Sequence, residues 1–326
     1  MGSGPVTRPL AIITNAMSTG NIRRGSWVEP LLVGEKDVAH FKMSRVDEIP
    51  DILEQCAAMG AETVVVNGGD GTADLVFAGL LNHQAYPRLP ALALLPAGKT
   101  NMTAAGWSLV GKPEDALRTV LDCRNRNEIS EHVVERPVLG VHRGGAHPPL
   151  YGAFFGAAEV VDGIQFCRSH IYPLKMPNAL SHTAAISLLL WRSIFTRQNN
   201  RSITVAGDND LAESGQFFVI AVTALDLLLL GLRPAPDTAN SASGPLTYLS
   251  LRTGAPTTLR AMGSLFTRRV GPGPGRTVRT AERLTLNFSG AYTLDGELYE
   301  ARADETLTID GSKRLRFIQF PKHAST

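Results

Sequence analysis

The residues from Thr63 to Thr72 read TVVVNGGDGT, and this stretch decides how the rest of the chain is interpreted. Its three consecutive valines suit a strand that is buried on both faces, and the glycines after them allow the backbone to turn sharply. These glycines are Gly68, Gly69 and Gly71. Residues 73–82 predict a helix with Thr72 as its N-cap. Because free N–H groups at a helix start attract anions, the stretch predicts a phosphate site.

An acidic residue, Asp70, lies inside this glycine turn. A carboxylate repels a bare phosphate unless a divalent metal ion lies between the two. The turn therefore predicts a metal nucleotide as ligand, although the same spacing also suits a tight connection that binds nothing.

The first part of the chain alternates strands and helices, which is typical of a parallel α/β sheet. Strands are predicted at 10–14 and 91–95, and helices at 44–59 with Ser44 as cap, from near Thr100, and at 113–121. From about Glu131 strands follow without regular helices between them, which predicts an antiparallel β-sandwich. These strands are 133–141, 150–157, 202–206, 216–222, 246–251, 283–287 and 306–309. Two helices are expected within this part, at 179–196 and 257–267.

Composition limits the class of protein. A chain of 326 residues, 44% hydrophobic and 19% charged, predicts a globular protein of two domains. The formal net charge of +2 is too small to indicate nucleic-acid binding. Three widely separated cysteines without metal-ligand spacing indicate a reducing compartment, and no signal sequence is recognised. The longest apolar run, 217–232, is too short to span a bilayer, so we expect a cytoplasmic protein that is soluble or peripheral to a membrane.

Four segments carry a family resemblance. They are Asn15–Gly20 (NAMSTG), Gly68–Thr72 (GGDGT), Leu95–Ala104 (LPAGKTNMTA) and Leu294–Glu297 (LDGE). In order and spacing they are similar to the motifs of the lipid kinases that include the diacylglycerol, sphingosine and ceramide kinases. The family loop Asn-Pro-x-Ser-Gly has Ala16 here in place of proline, and the hydroxyl of Pro-x-Gly-Thr-x-Asn is shifted by one place, with Lys99 introduced.

The resemblance implies an α/β plus all-β architecture. A Rossmann-like nucleotide domain with a parallel sheet would span residues 1–130, and an antiparallel β-sandwich for the lipid substrate would span 131–312. The active site is then expected in the cleft between them. The last strand, near 315–320 within the C-terminal segment 313–326, would return to the nucleotide domain.

The same resemblance assigns roles to individual residues. It implies nucleotide binding by the three glycine-containing loops, Mg²⁺ coordination by Asp70 and Glu297, and proton removal from the acceptor hydroxyl by Asp295, although the roles of the two aspartates could be exchanged. The nucleotide-binding residues would be Asn15, Ser18, Gly68, Gly69, Gly71, Thr72, Gly98, Lys99, Thr100 and Asn101. ATP and a membrane lipid would be the substrates, the protein would contact the inner face of the membrane, and a homodimer stays open.

Two departures from the family pattern bear on the acceptor. Where the family often has Gly-Phe-Asp-Ala-Glu, this chain has FGAAE at Phe155–Glu159, so the aspartate that can help to hold a lipid headgroup is missing. The family pattern Asp-Gly-x-Leu, which supports a structural metal ion in some bacterial members, is replaced by SGPL at Ser243–Leu246. We therefore expect that metal site to be absent, and a ceramide or sphingoid acceptor competes with diacylglycerol. Two other interpretations stay open: a soluble kinase similar to NAD kinase, and a lipid- or nucleotide-binding protein that has lost catalysis.

Overall fold

The structure, a computed structural model, describes residues 8–83, 85–158, 161, 202–208, 210–228, 231–236, 244–254 and 267–320. Two compact units divide the chain. Unit 1 is Met1–Arg136 together with Arg314–Thr326, and unit 2 is Pro137–Lys313. That these units are a nucleotide domain and a lipid-substrate domain stays a prediction.

Unit 1 is built on a parallel sheet, as the alternation of strands and helices predicts. With strands numbered in chain order, they are β1 (Leu10–Asn15), β2 (Val38–Met43), β3 (Thr63–Gly68), β4 (Ala91–Pro96) and the end of β18 (Thr306–Ile318), in the order β2-β1-β3-β4-β18. The helices are α1 (Thr19–Arg24), α2 (Ile49–Ala58), α3 (Asp70–His83), α4 (Met102–Trp107) and α5 (Pro113–Asn125). Short 3₁₀ helices lie at Glu29–Leu32, Val46–Glu48 and Ile129–His132.

The central strands of unit 1 carry apolar side chains on both faces, which suits the interior of a parallel sheet. All six residues of β3 are buried, as are five of the six in β4. On one side of the sheet, α5 packs through Leu117, Val120 and Leu121 against strand residues that include Ile12 and Val65. The sheet is therefore covered by helices, as parallel sheets require.

Three helix starts differ from the sequence predictions. Helix α3 begins at Asp70 rather than after Thr72, so Thr72 is a buried residue inside the helix and not its N-cap. Helix α2 begins at Ile49, beyond a 3₁₀ turn, because Pro50 favours the first turn of a helix. Ser44 is not its cap, although the Ser44 N–H donates to the Glu48 carboxylate. Helix α4 begins at Met102, beyond Thr100.

Unit 2 contains the expected antiparallel strands in two sheets. The first holds β5 (Val133–His142), β6 (Leu150–Gly152), β8 (Ile203–Gly207), β9 (Leu211–Gly215), β15 (Arg283–Asn287) and the first residues of β18. The second has the order β14-β12-β10-β7-β16-β17, formed by β7 (Phe154–Ala158), β10 (Phe217–Thr223), β12 (Leu246–Arg252), β14 (Arg276–Ala281), β16 (Gly290–Leu294) and β17 (Glu297–Ala301). Strands β11 (Arg233–Pro234) and β13 (Arg269–Val270) form a separate pair.

The two sheets of unit 2 enclose one apolar core. Val205 and Leu284 from the first sheet pack in the same buried cluster as Phe155, Ile220 and Tyr248 from the second. Inward-facing apolar residues on both sheets define a sandwich, so the predicted fold class is confirmed.

Three predicted strands have different bounds in the structure, and two predicted helices lie largely or wholly outside the described residues. The strand predicted at 150–157 is two strands, since the chain leaves the first sheet after Gly152 and enters the second at Phe154. The strands predicted at 306–309 and 315–320 are parts of β18, which runs unbroken for 13 residues. The helix predicted at 179–196 lies outside the described residues, as does that at 257–267 apart from Thr267. Among the described residues, no helix combines the length and apolar character needed to cross a bilayer.

Candidate functional site

Three loops of unit 1 meet where strands β1, β3 and β4 end. The strands are in register, with Thr14 opposite Asn67 and Gly68 opposite Pro96. Because neighbouring parallel strands end at the same edge, the segments that follow them are neighbours as well. The structure thus brings together the loops that begin at Asn15, Gly69 and Ala97.

Close approach, rather than a special backbone conformation, explains the glycines of these loops. The Gly20 N–H donates to the Ala97 carbonyl at 2.9 Å. A Cβ atom on Gly98 would lie 2.5 Å from the Gly69 Cα, a distance that real Cβ contacts do not reach. None of Gly68, Gly69 and Gly71 has a positive φ. The chain passes from β3 to α3 between Gly68 and Asp70 without a positive φ at these glycines. Gly69 lets the second loop touch the third, and a Cβ atom on Gly68 would meet the Thr72 side chain at 2.5 Å.

Asn15 connects the first loop to the start of α3. Its Nδ2 donates to Thr72 Oγ1 at 3.0 Å, and its Oδ1 accepts the N–H of Met17 at 2.9 Å. Ser18 lies in the same loop, and its buried Oγ has no hydrogen-bond partner among the described residues. The structure thus joins Asn15 to Thr72 and places Ser18 in the same loop as Asn15. That these residues bind a nucleotide stays a prediction.

Asn21 is a residue of this site that the sequence analysis missed. It is buried, and its Nδ2 donates to the carbonyls of Asn15 at 2.8 Å and Asn67 at 3.1 Å. Trp27 Nε1 donates to Asn21 Oδ1 at 3.3 Å. One amide therefore holds the ends of β1 and β3 together. Asn67, a fully buried polar residue after three valines, was the signal for such an arrangement.

The Asp70 carboxylate is a cap for helix α4. Its Oδ1 accepts the N–H of Thr103 at 3.0 Å and its Oδ2 accepts the N–H of Met102 at 3.2 Å. Burial raises the pKa of Asp70, while these N–H groups oppose the rise. Asp70 thus joins the glycine turn to the third loop.

Asn101 shapes the third loop. It adopts a left-handed conformation with φ +53°, and its Oδ1 accepts the Gly98 N–H at 2.7 Å while its Nδ2 donates to the Gly98 carbonyl at 3.1 Å. Lys99 is half-buried and Thr100 is exposed in the same loop. Gly98, Lys99, Thr100 and Asn101 therefore lie beside the glycine turn.

The loops leave little empty space between them. A cavity of about 10 Å³ is bounded by Gly68, Gly69, Asp70 and Asn101 among others. That volume suits one water molecule. This cavity is therefore too small for a phosphate group.

In unit 2, Asp295 and Glu297 belong to the hairpin between β16 and β17, as their spacing predicts. Asp295 and Gly296 form its two-residue loop with φ values of +46° and +92°. Positive φ at both positions is typical of a type I′ turn, for which Asp-Gly is a preferred sequence. Glu297 is exposed at the start of β17.

The Asp295 side chain also organises the neighbouring strand. Its Oδ2 accepts the Ala153 N–H at 2.6 Å, and its own N–H donates to the Phe154 carbonyl at 2.8 Å. Ala153 is the residue at which the chain passes from one sheet to the other, so this contact accounts for the division of the predicted strand.

The structure holds no cluster of three His, Cys, Asp or Glu residues suited to a metal ion within the parts of the chain that it describes. Mg²⁺ bound with a nucleotide needs only one or two protein carboxylates, because phosphate oxygens and waters supply the other ligands. Asp70, a carboxylate inside the glycine turn, is a ligand of the type that this requirement needs.

The fold is similar to that of solved structures described as diacylglycerol kinases or putative diacylglycerol kinases. A crystal structure of a diacylglycerol kinase from Bacillus anthracis str. Sterne superimposes with a TM-score of 0.60 and 14% identity, covering 97% of each chain. A second structure from the same organism gives a TM-score of 0.65 and 15% identity, covering 97% of this chain and 98% of the other. At such identities the likeness concerns the fold alone.

Sequence comparison finds a family match in the first part of the chain. Residues 9–129 match the model of the diacylglycerol kinase catalytic domain, which confirms the resemblance inferred from the motifs. A protein of Chromohalobacter salexigens named "Probable lipid kinase YegS-like" is 35% identical over 71 residues, 22% of each chain. An Enterobacter protein of the same name is 33% identical over 69 residues, 21% of this chain and 23% of its own. The chain thus matches less than a quarter of the length of these curated relatives.

Proposed function

We propose that this protein is an ATP-dependent lipid kinase that transfers the γ-phosphate to a hydroxyl group of a membrane lipid. The observation that carries the proposal is the match of residues 9–129 to the diacylglycerol kinase catalytic domain. That segment contains all three loops that meet at the strand ends. The named lipid kinases among the relatives support the same class of reaction.

In this proposal the three loops of unit 1 bind ATP. The Ser18 hydroxyl, which has no partner among the described residues, and N–H groups of the glycine turn would donate to phosphate oxygens. Lys99 would add a positive charge, and Asn101 would keep the third loop in the shape that admits it. Asn21 acts as a positioning residue, because it fixes the carbonyls from which two of the loops begin.

Asp70 and Glu297 are the proposed carboxylate ligands of Mg²⁺. The ion would neutralise charge on the phosphates that are being transferred. Asp70 would contribute a lone pair while its carboxylate still caps α4, so the same side chain would hold the ligand and the loop that faces it.

Asp295 is the proposed base. An alcohol is a weak nucleophile at neutral pH, and a carboxylate within hydrogen-bond distance of the hydroxyl can accept its proton as the new bond to phosphorus forms. The type I′ turn and the Ala153 N–H fix the orientation of the Asp295 carboxylate. Exchange of roles between Asp70 and Asp295 is the alternative within this proposal.

The acceptor would be ceramide, a sphingoid base or diacylglycerol. Such lipids reside in a bilayer, so the protein would work in the cytoplasm at the inner face of the membrane. A homodimer stays a prediction.

The test is transfer of labelled γ-phosphate from ATP and Mg²⁺ to a panel of detergent-dispersed lipids. The panel contains ceramide, sphingosine, diacylglycerol and monoacylglycerol, with NAD as soluble control. Label on one lipid and none on NAD supports the proposal and identifies the acceptor. Labelling of NAD would instead indicate a soluble small-molecule kinase. If the protein binds ATP but labels no acceptor, it would be interpreted as a binding protein that has lost catalysis.

The variant Asp295→Asn separates the chemical role of Asp295 from its structural role. Asparagine adopts the left-handed conformation readily, and its Oδ1 can still accept the Ala153 N–H. We expect a melting temperature close to that of the wild type and a loss of turnover of about 10²-fold or more.

Two further observations complete the test of Asp295. Asp295→Ala removes the hydrogen bond as well, so it should cost about 1–3 kcal/mol of stability in addition to turnover. Wild-type turnover in a folded Asp295→Asn protein would show that Asp295 is not the base.

A further inference from the structure

Unit 1 has a second candidate site at the opposite edge of its sheet. A cavity of about 380 Å³ lies beside Thr63 and Ala91, the first residues of β3 and β4. The loops of the candidate nucleotide site follow the other ends of the same strands. The volume is within the range of cavities that bind small molecules.

The lining of this cavity is strongly cationic. It includes four arginines, Arg8, Arg88, Arg124 and Arg316, and a single acidic residue, Glu62. Between these groups lie apolar side chains, among them Leu89 and Ile129. A lining of this kind favours an anion that carries an apolar portion.

Two of the four arginines are already neutralised. Arg8 pairs with Glu62 at 2.6 Å. Arg124 is buried, pairs with Glu35 at 3.3 Å, and donates to the carbonyls of Arg8 and Lys36. These two guanidinium groups have structural partners that account for their presence.

The other two arginines have no such partner among the residues that the structure describes. Neither Arg88 nor Arg316 forms an ion pair with a carboxylate of the described residues. Arg316 is half-buried and uses Nη1 to donate to the Leu89 carbonyl at 3.2 Å, which leaves most of its N–H groups for a ligand. Burial and the neighbouring Arg88 charge lower the pKa of Arg316, and the charges of Glu135 and Glu62 oppose that lowering.

We propose that this cavity binds a phosphate-bearing small molecule through the guanidinium groups of Arg88 and Arg316. A phosphate monoester carries nearly two negative charges at neutral pH and balances both cations. The planar fork of arginine matches phosphate oxygens in pairs, and the apolar lining accommodates the organic part. The site is separate from the loops that bear Asp70, and it does not depend on the lipid kinase proposal.

The experiment measures binding to the full-length protein with the candidate nucleotide site filled by a non-hydrolysable ATP analogue and Mg²⁺. The probes are inorganic phosphate, glycerol 3-phosphate, and phosphatidylcholine vesicles with and without phosphatidic acid. Titration calorimetry serves for the soluble probes and co-sedimentation for the vesicles. The variants are Arg88→Gln, Arg316→Gln and Arg316→Lys, with Arg118→Gln as matched control, since Arg118 is an exposed arginine of unit 1 outside the cavity.

We expect saturable binding of glycerol 3-phosphate that weakens about tenfold or more in Arg88→Gln and Arg316→Gln, about 1.4 kcal/mol each, and is unchanged in Arg118→Gln. The affinity of Arg316→Lys should lie between those of the wild type and Arg316→Gln, because lysine keeps the positive charge but lacks the planar guanidinium group. Binding only to vesicles that contain phosphatidic acid, lost in Arg88→Gln, would support the site with a lipid headgroup as ligand. No saturable binding of any probe, or equal affinities of Arg88→Gln and Arg118→Gln, would overturn the proposal.

Discussion

Asp70 shows how one side chain can serve both the fold and the proposed chemistry. Its two oxygens accept the first N–H groups of α4, and that helix has only six residues. So short a helix depends on its caps, because it has few internal hydrogen bonds. The acid within the glycine turn therefore has a structural function that holds whether or not the turn binds a nucleotide.

We predict that Asp70→Asn lowers the free energy of unfolding by about 1–3 kcal/mol, because an amide N–H₂ replaces one of the two acceptors opposite backbone N–H groups. Urea denaturation measures this, with Asp122→Asn as control because Asp122 is an exposed acid on α5. A stability equal to the wild type would mean that the cap contributes nothing. Full kinase turnover in Asp70→Asn would remove Asp70 from the proposed mechanism.

The sequence predicted that Asp70 matters but not what it contacts. Its partners, Met102 and Thr103, lie more than thirty positions further along the chain. No local pattern reveals a hydrogen bond between two loops that only the completed sheet brings together. Asn21 escaped notice for the same reason, since its two acceptors belong to different strand ends.

At the scale of elements, the three loops of unit 1 depend on glycine where their backbones touch. We predict that Gly98→Ala costs about 1–3 kcal/mol of stability, because its Cβ would meet the Gly69 Cα at 2.5 Å. ATP affinity, measured by calorimetry, should fall as well, since the loops would have to separate. Gly144→Ala is the control, because its nearest neighbour would be Glu305 Cγ at 3.9 Å. Equal stability of the two variants would contradict the packing role.

Glu213 joins the two sheets of unit 2. This residue of β9 accepts hydrogen bonds from Tyr248 Oη at 2.7 Å, Ser250 Oγ at 2.8 Å and Thr277 Oγ1 at 2.6 Å, on β12 and β14 of the other sheet. Burial alone would raise the pKa of Glu213, but the three hydroxyl donors outweigh burial, so the pKa lies below the usual value for glutamate. The charged carboxylate is thus the form that the folded unit stabilises.

A lowered pKa in the folded state gives stability that is present above the unfolded pKa and lost as the pH falls through the folded pKa. We predict that Glu213→Gln is less stable than the wild type near neutral pH by about 1–2 kcal/mol, and that this difference shrinks as the pH decreases from about 6 to about 3. Urea midpoints across that range measure it. Glu300→Gln, at an exposed position of β17, should show no such convergence, and a constant difference for Glu213→Gln would refute the linkage.

Strand positions could be predicted well because apolar runs are a local property. The strands predicted at 10–14, 91–95 and 283–287 differ from β1, β4 and β15 by one residue or not at all. The break at Ala153 could not be predicted, because it depends on the Asp295 carboxylate, which is 142 positions away. Helix starts were predicted less well than strands. Thr72 was predicted to cap α3, but the helix begins at Asp70 and Thr72 lies within its first turn.

At the scale of the whole molecule, unit 1 is discontinuous in sequence. Its strand β4 pairs on one side with β3 and on the other with Arg316 and Phe317 of β18. Phe317 is fully buried, with its ring centroid 5.7 Å from that of Phe77 and 5.2 Å from that of Trp107. Ser108 Oγ also donates to the Ile318 carbonyl at 2.9 Å. The last strand is thus part of the core of unit 1.

We predict that Phe317→Ala lowers the free energy of unfolding by about 3–5 kcal/mol, because it removes one ring from a buried cluster of three. Amide hydrogen exchange should report the loss in β3, β4 and α4. Phe320→Ala is the matched control on the same segment, since Phe320 is only partly buried and packs against His132. Similar losses for both variants would mean that the cluster is not the anchor of the strand.

The motifs predicted the class of fold across the chain because they recur in order over nearly its whole length. The lipid acceptor could not be predicted in the same way. Recognition of an acceptor depends on side chains brought together only in three dimensions, and the curated relatives align over only 71 and 69 residues.

Because β18 is synthesised last, unit 1 cannot complete its sheet on the ribosome until almost the whole chain has been made. Residues 8–136 emerge first, yet β4 keeps an open edge until residues 314–318 arrive, after all of unit 2. At about 5–20 residues per second, the intervening segment takes roughly ten to thirty-five seconds to synthesise. An unpaired strand edge is a template for aggregation during that interval. The nascent chain is therefore expected to need a chaperone at β4 until translation is nearly complete.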